Sequence, residues 1–156
     1  MALKLRHRVL QRGYLAYSRF ARGMTLGVRA MLLAENTLVL VRHSYMPGWY
    51  LPGGGVEKGE TFGEAMTREI AEEAGAVLTG PAQLFGIYRN GEADRRDHVA
   101  LFVCRDWEPL ADGWRPSREI VSMQRFPLAA LPEEATRATR ARIAEVLNGT
   151  SPSADW

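Results

Sequence analysis

Residues 53–77 read GGGVEKGETFGEAMTREIAEEAGAV, and no other stretch restricts the fold so closely. Consecutive glycines disfavour both strand and helix, so the segment before Thr61 is a loop. Thr61 followed three residues later by Glu64 is a capping box, which predicts a helix from about Phe62 to Ala74, stopped by Gly75. On that helix Glu69, Glu72 and Glu73 lie three and four residues apart, so their carboxylates crowd one face. They also sit near the negative end of the helix dipole, where each surface anion costs about 0.3–1 kcal/mol. Such penalties are best tolerated when a cation sits among the acids, and all-oxygen donors suit Mg²⁺ or Mn²⁺. The alternative is a solvated face, with Arg68 pairing with Glu72 or Glu64. The glycine loop leading into the helix favours a site. Loops of this kind let backbone approach a phosphate or a metal-bound ligand, which makes Gly53, Gly54 and Gly55 candidate substrate contacts. No Lys-Ser or Lys-Thr follows the glycines, so this is not a nucleotide P-loop, and the spacing fails the dinucleotide fingerprint.

The remaining sequence supplies a scaffold. Runs at Thr25–Leu33 and Thr37–His43, rich in Val and Leu, flank the turn-prone Glu35-Asn36 and read as a hairpin. Strands are expected at Ala82–Arg89, His98–Cys104 and Glu119–Phe126, with a short extended piece at Trp49–Leu51. Pro132 is expected to open a last helix, with Glu133 and Glu134 in its first turn and arginines in its body. Residues 150–156 are expected to form a flexible tail. The pattern is α/β, a mixed β-sheet covered by helices. At 156 residues there is room for one domain and not for two independent enzymes. The single cysteine, Cys104, excludes an intramolecular disulfide and a multi-cysteine zinc site, and suits a reducing, cytoplasmic setting.

Gly54, Glu60, Arg68-Glu69-Ile70 and Glu72-Glu73-Ala74-Gly75-Ala76 together resemble the signature box of the Nudix hydrolases, Gly-x5-Glu-x7-Arg-Glu-U-x-Glu-Glu-x-Gly-U, with U bulky and aliphatic. Only Ala76 departs, being smaller than the pattern prefers, and Val77 beside it supplies bulk. Gly48-Trp49-Tyr50-Leu51-Pro52-Gly53-Gly54 resembles the usual approach to that box, and Arg125-Phe126-Pro127-Leu128 the usual late strand. The resemblance implies a Nudix-type α/β/α sandwich with a loop-helix-loop catalytic motif over residues 24–149. It further implies Mg²⁺- or Mn²⁺-dependent hydrolysis of a diphosphate linkage in a nucleoside diphosphate joined to another group. In those terms Glu69, Glu72 and Glu73 are metal ligands and catalytic residues, Glu69 also being a base or base-orienting group. Arg68 orients the carboxylates, Glu60 is a further ligand or water-mediated support, and Glu119 resembles the family's variable extra carboxylate. Pyrophosphohydrolysis of nucleoside triphosphates, oxidised ones included, is the alternative within the family. A Nudix-fold ligand-binding module that has lost catalysis is the alternative of a different class, and the retained acids speak against that.

Other residues divide between function and packing. Trp49 and Tyr50 either stack on a nucleobase or pack under the box loop. His98 beside Asp97 reads as a satisfied histidine, and Arg89, Arg95 and Arg96 as surface arginines. The formal net charge of +2 hides a division, since residues 1–50 hold eight basic groups against one acid while residues 51–80 hold six glutamates against two basic groups. The basic part includes residues 3–20, expected to form an amphipathic helix in an N-terminal segment 1–23. Its arginines interrupt any secretory apolar core. Packing of that helix on the domain, or on a second subunit in a homodimer, is favoured over a peripheral membrane contact. The expected partner is a small-molecule diphosphate, with no specific nucleic acid.

Overall fold

The computed structural model describes residues 23–92 and 94–156, so the expected N-terminal helix lies outside the described residues. Strands β1 (Thr25–Ala34) and β2 (Thr37–His43) form the expected hairpin, with Leu33 opposite Leu38 and Glu35 at a φ of 53°. The other edge of β1 runs parallel to β5 (Asp97–Cys104), from Thr25 opposite Asp97 to Leu32 opposite Cys104. Two antiparallel strands complete a mixed sheet of order β4-β5-β1-β2-β7: β4 (Gln83–Arg89) beside β5, and β7 (Ile120–Pro127) beside β2. As the central strand, β1 is covered on both faces, which is why it reads as an almost unbroken apolar run.

Alternation along β1 divides the core into two. Val28, Ala30 and Leu32 pack with Met66, Ile70 and Ala74 of helix α1 (Phe62–Ala74). Met31 and Leu33 pack on the other face with Leu40, Leu101, Trp49 and Ile143, the last from helix α2 (Arg137–Asn148). This is the expected sandwich. Ile70 has no exposed surface, and truncating such a side chain to alanine costs about 2–5 kcal/mol. Helix α1 begins where the capping box places it: the Thr61 hydroxyl accepts from the Glu64 N–H, and the Glu64 carboxylate accepts from the Thr61 N–H at 2.8 Å. Gly75 closes it in the left-handed conformation, φ 57°.

Two expectations are corrected, and one pair of strands is added. The last helix does not open at Pro132; Thr136 is its N-cap, and Glu133 and Glu134 lie in the preceding turn. Tertiary pairing overrides the local signal there, because Trp49 donates its N–H to Glu134 O at 3.0 Å and accepts the Thr136 N–H at 3.2 Å. Two three-residue strands, β3 (Ala76–Leu78) and β6 (Trp107–Pro109), pair antiparallel and were too short to leave a periodicity. Finally, the expected flexible tail is tied to β4: Arg89 donates its N–H to Ala154 O at 2.9 Å, and Trp156 donates its N–H to Arg89 O at 3.0 Å. The Trp156 ring covers Tyr88 at 5.4 Å, so one aromatic anchor offsets the ordering of an otherwise polar segment. Among the described residues no helix is long and apolar enough to cross a membrane.

Candidate active site

The box loop is built from beneath. From the middle of β1, Arg29 donates from Nη1 to Leu51 O at 3.3 Å and to Gly53 O. Gly53 in turn donates its N–H to Glu73 Oε2 at 2.8 Å. Gly53 has φ 142°, and a Cβ there would land on the Val28 carbonyl; a Cβ on Gly54 would land on the Glu69 carboxylate. The glycines thus allow the loop to press against β1 and against Glu69. Gly55 differs, having open space where a Cβ would go, while its carbonyl accepts from Arg68 Nη2 at 3.0 Å.

Helix α1 presents its acids unequally. Glu69 and Glu73 are 8% and 7% exposed, whereas Glu72 faces solvent. Burial pushes the Glu73 carboxyl up to about 7, against the opposing Gly53 hydrogen bond and Arg29 charge. Burial also raises the Glu69 carboxyl, partly countered by Arg68, whose Nη1 lies 2.7 Å from Glu69 Oε1. The Arg68 guanidinium grips Glu60 through Nε at 2.8 Å and Nη2 at 3.1 Å, and lies 3.7 Å from Glu72. With the Glu57 N–H as a second donor, these bonds hold the Glu60 carboxyl down at about 2. Glu64, the other expected partner of Arg68, is engaged in the cap.

Glu69, Glu72, Glu73 and Glu119 line one cavity of about 640 Å³, together with Arg68 and Glu57. Glu119 arrives just before β7, its carbonyl accepting the Ser44 N–H at 2.8 Å. The structure therefore brings together every expected site carboxylate except Glu60, which is not among the lining residues and is held by Arg68. As they stand, no three acidic, histidine or cysteine side chains among the described residues converge closely enough to grip one ion. The donor chemistry nevertheless suits a hard cation: Glu69 and Glu119 both raise the proton affinity of Glu73, and Glu72 raises that of Glu69.

Trp49 is a core residue, 4.8 Å from Phe126 edge-on, and the Tyr50 hydroxyl donates to Pro47 O at 2.7 Å. Asp97 accepts from Asn90 Nδ2 and from the Thr25 hydroxyl, both at 2.8 Å, so it secures a loop. Arg89 pairs with Asp155 of the tail. Sequence reasoning missed Arg29, although a charged residue inside the buried run Val28–Leu33 was a usable signal, since such a group needs a partner.

A family model described as NUDIX domain matches residues 23–147. A Bacillus subtilis protein named "Putative 8-oxo-dGTP diphosphatase" is 33% identical over 110 residues, 69% of this chain and 73% of that protein. An "ADP-ribose pyrophosphatase" of Methanocaldococcus jannaschii is 37% identical over 81 residues, which span 50% of this chain and 47% of the archaeal protein. The solved structure of a NUDIX hydrolase from Nitrosomonas europaea superposes with a TM-score of 0.69 at 20% identity, covering 82% of this chain and 91% of that one.

Proposed function

This chain belongs to the Nudix hydrolase family, and from that premise we propose that it hydrolyses the diphosphate linkage of a nucleoside diphosphate derivative, with water attacking phosphorus. The observation that carries the reading is an excess of carboxylate over arginine on one cavity, with Glu69 and Glu73 buried and Glu72 and Glu119 beside them. A divalent cation, Mg²⁺ or Mn²⁺, fits this donor set, and Glu69, Glu72 and Glu73 would hold it, with Glu119 as an added ligand. When bound, it supplies charge neutralisation at the phosphate oxygens and a more acidic water.

The chain's own residues supply the rest. Glu69 and Glu73, desolvated, take up a proton more readily than exposed carboxylates, which supports Glu69 as the group that accepts one from water or orients the group that does. Arg68 fixes the direction of Glu69 while anchoring itself on Glu60. The Gly53 N–H holds Glu73, and Arg29 holds Gly53 through its carbonyl from below the loop. The name of the Bacillus relative favours a second reading, hydrolysis of a nucleoside triphosphate, oxidised ones included.

Both readings are tested on one panel of nucleotide sugars, dinucleoside polyphosphates and ordinary and oxidised triphosphates, assayed with Mg²⁺, with Mn²⁺ and with chelator. Turnover of at least one compound is expected, abolished by chelator and restored by the cation. Reaction in ¹⁸O-water then assigns the attacked phosphorus. Tight binding without any turnover would overturn catalysis in favour of a binding module.

A further inference from the structure

Strand β4 is apolar on both sides, and only one side is covered. On the side shared with α2, Tyr88 has no exposed surface, the Trp156 ring lies over it, and Pro152 sits where a Cβ on Gly86 would go. On the side shared with α1, Leu84 and Ile87 are 49% and 53% exposed. A strand apolar on both faces is built to be buried on both.

The register makes these two residues part of a wider surface. Ile87 lies opposite Ala100 and Leu84 opposite Phe102, and those β5 residues lie opposite Val28 and Ala30 of β1, all four belonging to the α1 half of the core. Leu26 follows on the same side of β1, two residues before Val28, and is 40% exposed. Helix α1 packs over β1, β2 and β7, so the part of this face toward β4 is left bare among the described residues. One exposed leucine needs no explanation, but three large aliphatic side chains on one face form a patch that calls for a cover.

The chain itself enters beside that patch. Residues 3–20 lie outside the described residues, and the chain that follows them reaches β1 at Thr25, next to Leu26. In residues 3–20, Leu3, Leu10, Tyr14, Tyr17 and Phe20 recur at seven, four, three and three, a single side at helical pitch, while Arg8, Arg12 and Arg19 fall on the other side. At about 1.5 Å per residue such a segment spans about 27 Å, which matches the eight residues of β5 at about 3.3 Å each. A connection of a few residues also keeps it at high effective concentration over the patch. We infer that residues 3–20 of the same chain cover the bare side of β4 and β5, with Leu10, Tyr14 and Tyr17 turned to Leu26, Leu84 and Ile87 and the arginines turned to solvent. This cover is independent of the chemistry at Glu69 and Glu73.

Disulfide trapping in the full chain tests it, since the bond closes only when the two Cβ atoms come within about 4.5 Å. Ile87→Cys is combined in turn with Leu10→Cys, Tyr14→Cys and Tyr17→Cys, and then with Arg8→Cys, Arg12→Cys and Arg19→Cys. Cys104 does not compete, because burial pushes its thiol up to about 12. At least one pair from the apolar side is expected to close within one chain at least about ten-fold faster than every pair from the arginine side. That advantage is expected to vanish when Val121→Cys, an exposed site on the opposite edge strand, replaces Ile87→Cys. Equal rates from both sides of the segment overturn the cover. Fast bonds that join two chains overturn it as well, giving the patch to a second copy. Phosphatidylserine vesicles are expected to leave the fast pair unchanged; its loss in their presence gives the apolar side to a membrane and overturns the cover.

Discussion

Arg68 on α1 and Arg142 on α2 each lie among carboxylates, on helices that cover opposite faces of the sheet. Arg142 is 4% exposed and closed in: Glu145 Oε1 at 2.8 Å, Ser153 Oγ at 3.0 Å and Asp155 O at 2.8 Å accept from it. Its guanidinium also stacks 4.4 Å over Tyr88, whose hydroxyl donates to Glu145 Oε2 at 2.9 Å. One cation meets one anion, and the surplus bonding capacity goes to holding the tail. Around Arg68 the balance fails, for Glu60 and Glu69 take its short bonds, Glu72 lies 3.7 Å from it, and Arg29 and Arg118 are the remaining cations set against Glu72, Glu73 and Glu119. A charge-balanced cluster acts as a lock, and an unbalanced one is available for chemistry.

The largest expected effect is at the unbalanced cluster. Glu73→Gln should lower turnover at least about 100-fold while leaving the fold intact, since it removes a carboxylate that burial disfavours. Near-normal turnover would sink the assignment. In chelated wild-type protein, a Glu73 carboxyl raised to about 7 binds its proton more tightly folded than unfolded, so stability should fall as pH rises from about 4.5 through 7. Melting curves of Glu73→Gln should lack that fall.

At the lock the expected loss is in stability. Arg142→Met strands Glu145 as a half-buried, uncompensated charge and should cost about 3 kcal/mol in urea unfolding, with turnover per folded molecule unchanged. The smallest effect sharpens the boundary between the two. Arg29→Met should reduce kcat about ten-fold through misplacement of the Gly53–Glu73 contact, at roughly 1 kcal/mol of stability, and Arg29→Lys should recover part of it. If Arg29→Met instead unfolds as readily as Arg142→Met and keeps its kcat, Arg29 belongs to a lock and the distinction breaks.

Legibility followed sequence distance. The capping box, the Gly75 stop and the crowding of Glu69, Glu72 and Glu73 arise from contacts three or four residues apart, and each could be read from spacing alone. The unequal burial of those three acids could not, because it depends on how α1 meets the box loop. Pro132-Glu133-Glu134 looked like a helix start until pairing with Trp49, far along the chain, drew that segment into a turn. Trp156 looked like the end of a polar tail, and only Tyr88 and Arg142 turn it into an anchor.

By itself the sequence determined the sheet strands longer than three residues, the acid-bearing helix and the family, because these rest on periodicity, caps and a dense local motif. The tertiary structure decided which carboxylates are desolvated, that Glu60 serves Arg68 and that Glu119 shares their cavity. Those properties depend on burial and on charges brought together across tens of residues, and neither has a signature along the chain.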